Sequence, residues 1–151
     1  MKPDLNTALM FCAQEIGTLF LPLLEKEYDQ SRLGSWGGLM LLSSLQIDGA
    51  ADNLNKQNKL MMEWLKRSKK SIQSKTLIQK IEECESMELP DIKISTLDNF
   101  NQEIRQIFVE AQEYLEESKD SECLKESWIV LREMHGHRKV SHMLDLLKPD
   151  S

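Results

Sequence analysis

The side chains best placed for chemistry in this sequence are two asparagines and an arginine. Leu54, Asn58, Met61, Trp64 and Leu65 repeat the spacing of Leu97, Asn101, Ile104, Ile107 and Phe108, so each of two predicted helices carries an asparagine on or beside an apolar seam. Arg105 follows Asn101 by four residues and shares its face. Two uses of such a set are open. The asparagines can fix register or oligomeric state at a cost in stability, as polar residues in an apolar seam do. Alternatively, Asn58, Asn101 and Arg105 line a polar pocket between the helices, with the guanidinium gripping a carboxylate or phosphate through its paired N–H donors.

No other assembled chemistry is legible. Helical bundles that hold metals take carboxylates from two helices and a Glu-x-x-His from each of two more, and no Glu-x-x-His occurs. His135, His137 and His142 fall in one segment, and His135 and His137 point to different helix faces. No metal site and no cofactor are expected. Without a Gly-x-Ser-x-Gly, a phosphate-binding glycine loop or an oriented Cys/His pair, no catalytic residue is assigned, and the chain reads as a binding protein sooner than as an enzyme. Cys12, Cys84 and Cys123 are odd in number, widely spaced and in no C-x-x-C, which suits buried thiols better than a disulfide framework or a zinc site.

The elements that must position these residues are helices. With 151 residues, 40% of them hydrophobic, the chain has material for one core, and residues 1–151 are read as a single domain. Six glycines and four prolines give few turn signals, and β-branched and aromatic residues do not gather into alternating runs. The fold class is all-α, a helical bundle of four to five main helices plus a short C-terminal helix. A net charge of −6 argues against a broad nucleic-acid surface. The charge is uneven: residues 1–75 carry ten Lys and Arg against eight Asp and Glu, and the remainder nine against seventeen. The opening Met-Lys-Pro-Asp lacks the build of a signal peptide, and no apolar run approaches the roughly 18 residues of a membrane span, so a cytoplasmic location away from membranes is expected.

Along the chain, the first predicted helix runs from Asp4 or Asn6 to Tyr28 on a heptad-like stripe of Leu5, Leu9, Cys12, Ile16, Leu19 and Leu23, with a kink at Pro22. Residues 31–38, holding three glycines, read as a turn. The second predicted helix runs from Trp36 to Arg67, with Gly49 as a tight crossing or a bend and Leu54 in the core. Further helices are predicted over 75–87, from Ser95 and Asp98 as a weak capping box to about Leu115, from Leu124 to Gly136 with Leu124, Trp128, Leu131 and Met134 inward, and over 140–147.

The segment Ala50-Ala51-Asp52-Asn53-Leu54-Asn55-Lys56-Gln57-Asn58, and more loosely Asn101-Gln102-Glu103-Ile104-Arg105, resembles small all-helical bacterial proteins of unassigned function with an Ala-Ala…Glu-Asn-x-x-Leu-Arg signature. Gln57 stands where that signature has Glu, and Met62 where it has Arg. The resemblance implies an all-helical fold and an accessory role beside acyl-CoA dehydrogenases or small-molecule phosphotransferases. It supplies no catalytic residue.

The functional expectation is protein–protein interaction or homodimerisation. A helix from Trp36 to Arg67 would measure about 45–50 Å in a molecule roughly 40 Å across. Its apolar residues Trp36, Leu39, Leu42, Met61, Met62 and Trp64 are therefore the expected interface. The alternative is a small-molecule or accessory-enzyme pocket between the two asparagine-bearing helices, taking an acyl-CoA or another phosphate-bearing ligand.

Overall fold

The computed structural model describes residues 4–138, and every regular element among them is helical. Contacts gather into two compact units, one holding residues 4–50 and the other residues 51–138.

The first unit is a helical hairpin. Helix α1, Leu5–Glu15, continues through a π-helical turn, Ile16–Phe20, and a tighter 3-10 turn, Leu21–Leu23. Pro22 explains the irregularity, because its missing N–H deprives the Thr18 carbonyl of an α-helical donor. The chain widens instead, and the Leu21 N–H bonds the Ile16 carbonyl five residues back. Leu24 is extended and ends the helix short of the expected Tyr28, with the Gln30 amide donating to the Leu24 carbonyl at 2.7 Å.

Helix α2, Glu27–Ile47, runs straight through the residues expected to form a turn. Three glycines cost a helix about 1 kcal/mol each relative to alanine, so tertiary packing must offset them. Gly37 shows how: it is buried, and a Cβ there would meet Ile16 Cγ2 at 3.1 Å. Glycine at that position lets the two helices approach closely.

The long helix expected from Trp36 to Arg67 is two helices. α2 ends at Ile47, Asp48 and Gly49 form a turn, and α3 covers Ala50–Ser68. Gly49 is therefore a break, the cheapest place to end a helix in this stretch. At about 1.5 Å per residue each piece is close to 30 Å long, and the overlong helix that required a neighbouring subunit does not exist.

The second unit is built by α3, α4 (Lys75–Ser86), α5 (Ile94–Glu117) and α6 (Ser121–Arg138). The hydrophobic core of the described residues lies wholly within it, from Met61 to Met134. Its members follow alternating spacings of four and three: Asn58, Met61, Leu65 and Ser68 on α3, Leu77, Ile81 and Cys84 on α4, and Leu97, Asn101, Ile104, Phe108, Ala111 and Leu115 on α5. Trp64 sits at the centre, its ring centroid 4.4 Å from that of Phe108 and its indole N–H donating to the Cys123 carbonyl at 3.2 Å. Leu54, expected in this core, is only partly buried in the second turn of α3.

On α6 the buried residues are Ser127, Val130 and Met134; of the expected Leu124, Trp128, Leu131 and Met134, Met134 is buried, Leu131 packs against the core, Leu124 is half-buried and Trp128 faces outward. Trp128 is 52% exposed. Ser127 takes the inward position because its hydroxyl bonds the Leu124 carbonyl at 2.7 Å and accepts the Gln112 amide at 2.7 Å. Gly136 does not end α6, which continues to Arg138. The helix expected over 140–147 lies outside the described residues.

Helix ends in this unit are set by short polar side chains. Ser74 caps α4 by accepting the Leu77 N–H at 3.4 Å. At α5 the expected Ser95 and Asp98 box is replaced by Asp91, which accepts from Lys93 N and Thr96 Oγ1. Asp120 caps α6 through the Cys123 N–H at 3.2 Å, and with the Ser71 hydroxyl as its strongest partner its carboxyl is held below the ordinary carboxylate value. A carboxyl lowered on folding adds stability above its unfolded pKa, about 3.9, and loses it as pH falls through the folded value. Asp120→Asn keeps the cap and removes the charge. Its urea midpoint should therefore lie below the wild-type midpoint at pH 7 and converge on it as pH falls through the lowered folded pKa; a difference that is independent of pH would contradict this role.

Candidate functional site

Asn58, Asn101 and Arg105 come together between α3 and α5. Asn58 Nδ2 donates to the Leu97 carbonyl at 3.1 Å, and its Oδ1 accepts from Asn101 Nδ2 at 2.6 Å. Asn101 Oδ1 in turn accepts from Arg105 Nε at 2.6 Å, and Arg105 Nη2 donates to Gln57 Oε1 at 3.3 Å. The result is a one-directional relay, Arg105 to Asn101 to Asn58 to the Leu97 carbonyl, in which each bond polarises the next. Asn58, Asn101 and Gln57 are all at least 96% buried, so the relay replaces hydration that these amides have lost.

Gln57 is the member that the apolar pattern missed. It stands beside the seam, next to Asn58, and the arginine one turn beyond Asn101 was the available signal that a second acceptor was needed.

This arrangement bears on what Arg105 can grip. The edge of the guanidinium formed by Nε and Nη2 fits the two oxygens of a carboxylate, and here it holds the amide oxygens of Asn101 and Gln57. The buried amides themselves occupy the space between α3 and α5 at this level. Beside Arg105 lies a shallow depression of about 410 Å³ lined by Gln102, Arg105, Gln106, Val109 and Glu110. All five belong to α5, and Glu110 is engaged by Lys80 of α4 at 2.6 Å.

The remaining reactive groups are dispersed. Burial pushes the Cys84 thiol up, with the Glu103 and Glu83 carboxylates adding to the effect. Burial also raises Cys123, helped by Asp120 and Glu126 and opposed by Arg67. Both thiols are thereby biased away from the nucleophilic thiolate, while Cys12 is exposed. His137 lines a groove of about 340 Å³ with Lys56, Lys59, Leu60, Glu63 and Glu133, and its Nδ1 is buried with no hydrogen-bond partner among the described residues. His135 is exposed, and His142 lies outside the described residues. Among the described residues no three His, Cys, Asp or Glu side chains gather as metal ligands. The basic cluster at the end of α3 is paired across the unit: Arg67 with Glu126 at 3.4 Å, and Lys69 with Glu85 at 2.9 Å.

The expected interface residues divide. Met61 and Trp64 are 1% and 0% exposed, and Met62 packs against the core, so these three face the interior of the second unit and do not present a docking surface. The four-three stripe that put them on one side of α3 is the core stripe. Trp36 and Leu39, in the hairpin, are 50% and 63% exposed, and Leu42 is half-buried.

The hairpin as a whole is packed in an unusual sense. α1 buries no residue, and α2 buries only Gly37 and Ser44. Between the helices, Gly34 and Gly37 face the side chains of Leu21 and Ile16, and glycines together with Met10, Ile16, Leu21 and Leu41 border an apolar groove of about 400 Å³. Many large residues of the hairpin are nonetheless exposed: Leu5, Met10, Phe11, Leu19, Phe20, Leu23, Tyr28, Trp36 and Leu39. The sequence held a signal for this that the apolar pattern alone did not expose. Leu5–Leu24 contains one charged residue, Glu15, and Leu33–Ile47 contains none. No helix of the described residues is long and apolar enough to cross a membrane.

In comparison with known proteins, no family model, no curated protein and no solved structure matches the chain.

Proposed function

We propose that the protein is an interaction module. The second unit is its folded scaffold, and the α1–α2 hairpin is the element that docks onto protein. The observation that carries this reading is the exposure of nine large apolar side chains on a hairpin that buries only Gly37 and Ser44. Ordinary surfaces scatter single apolar residues; a dense set on one element marks an interaction site. The Asn58–Asn101–Arg105 relay supports the scaffold side of the reading, because an internally satisfied polar seam fixes how two helices align.

A photoreactive phenylalanine analogue placed at Leu39, and separately at Lys125 on the exposed side of α6, tests the assignment in cells. Covalent protein adducts should form at Leu39 in preference to Lys125. Adducts formed equally or only at Lys125 would reject the hairpin as the docking element.

A further inference from the structure

We infer that the occupant of the hairpin surface is a second copy of the same hairpin, so that two chains close a four-helix bundle in trans. This rests on the reading of the hairpin as the docking element and adds the identity of the partner.

The first argument is area. The exposed fractions of the nine outward side chains amount to about five whole residues, which at roughly 200 Å² per large side chain is on the order of 1,000 Å² of apolar surface. A stable pairwise interface needs about 800 Å² from each partner. Summed over its sides, the exposed apolar surface of the hairpin is of that order.

The second argument is periodicity. Leu5 and Cys12 lie seven residues apart on α1 and are exposed, while Leu9 and Ile16 are partly buried; Leu19, in the π-helical turn, is exposed as well. On α2, Tyr28, Trp36 and Leu39 share a face by spacings of eight and three and are also exposed. Helices carrying such half-filled stripes are completed by other helices of the same period. In the second unit the corresponding stripes of α3, α4 and α5 are already buried. Among the described residues, the largest set of exposed apolar side chains is that of the hairpin, with Trp128 and Ile129 of α6 as a smaller one.

The third argument is charge. Apart from Glu15, the charges of the hairpin sit at its ends, at Asp4, at Glu25, Lys26, Glu27, Asp29 and Arg32 around the connection, and at Asp48. A partner surface bearing charges would find no counter-charge along the body of the hairpin and would lose hydration without compensation. An apolar, uncharged surface fits. A bilayer is the other such surface, but insertion tip-first would carry Glu25, Lys26, Glu27 and Asp29 into hydrocarbon, where each is costly. Twofold pairing of identical chains is the commonest way to close such a surface.

Sedimentation equilibrium of the full chain at tens of micromolar is the test, with Leu39→Glu and, on the other helix, Leu19→Glu as variants at exposed positions that leave the core untouched. The wild-type chain should sediment at twice the 17.5 kDa of one chain. Each variant should shift at least tenfold toward monomer with an unchanged far-ultraviolet dichroism spectrum. A monomeric wild-type chain would overturn the inference yet spare the reading beneath it, provided Leu39 still forms adducts to another protein in cells. A monomer that co-sediments with neutral phosphatidylcholine vesicles would overturn it in favour of a lipid surface. A dimer that persists in both variants would place the interface elsewhere and overturn both the inference and the reading.

Discussion

Trp64→Ala should lower the unfolding free energy by about 3–5 kcal/mol, the range for deleting a large aromatic side chain from a packed core. Trp64 is fully buried, meets Phe108 at a 48° tilt with 4.4 Å between centroids, and ties α3 to α6 through the Cys123 carbonyl. Truncation removes the ring contacts and the bond between α3 and α6, while the Cys123 carbonyl, inside α6, keeps its place in the helical ladder. Trp36→Ala supplies the contrast, since Trp36 is half-exposed with the Arg32 guanidinium 5.4 Å from its ring. An exposed cation–π contact contributes about 0.5–1 kcal/mol, so at concentrations low enough to keep the chain monomeric this variant should cost no more than that. Urea denaturation of both variants checks the pair; equal midpoint shifts would mean that the core is centred elsewhere.

The same two tryptophans show what the apolar pattern contains and what it lacks. Periodicity identifies which residues share a helix face, and on α5 it places Leu97, Asn101, Ile104 and Phe108 together without error. It does not say whether that face meets the rest of the chain or a second molecule. Trp64 and Trp36 look alike in sequence, yet one is core and the other is surface. The α6 stripe failed for a related reason. A buried serine whose hydroxyl is satisfied by Leu124 and Gln112 is invisible to a search for apolar residues, so Trp128 was drawn into its place.

Glycine misled in the hairpin. Gly34, Gly37 and Gly38 argue for a turn on propensity, but at Gly37 the missing Cβ makes room for the side chain of Ile16, which would otherwise be crowded at 3.1 Å. The break that does occur falls at Asp48 and Gly49, where one glycine outweighs three. Propensity decides where tertiary contact is absent, and contact decides where it is present. The polar relay was more legible. Its two asparagines were found because they interrupt matching stripes at matching positions, and that coincidence between two helices is hard to produce without a contact between them.

The relay gives the second large effect. Asn101→Leu should destabilise by about 2–5 kcal/mol, because it strands the buried Asn58 Oδ1 and removes the acceptor of Arg105 Nε, each a loss of about 1–3 kcal/mol. Asn58→Leu should cost somewhat less, since Asn101 Oδ1 still receives the guanidinium. The double variant should be more stable than the sum of the two predicts, with a coupling of about 1–3 kcal/mol, because apolar residues on both sides leave no amide stranded and Arg105, only partly buried, can turn toward water. Denaturation midpoints for the four corners of the cycle measure this directly, and strict additivity would show that the asparagines do not act together. The cycle also separates register from ligand binding. If the relay sets alignment, the double leucine variant should lose less stability than the two single changes together and lose resonance dispersion in its amide spectrum, as helices free to slip past one another do. If the set instead grips a phosphate or carboxylate, thermal stabilisation by acyl-CoA or nucleotides should appear in the wild-type chain and vanish in Arg105→Ala. With the Nε and Nη2 edge of Arg105 committed to Asn101 and Gln57, the alignment outcome is the expected one.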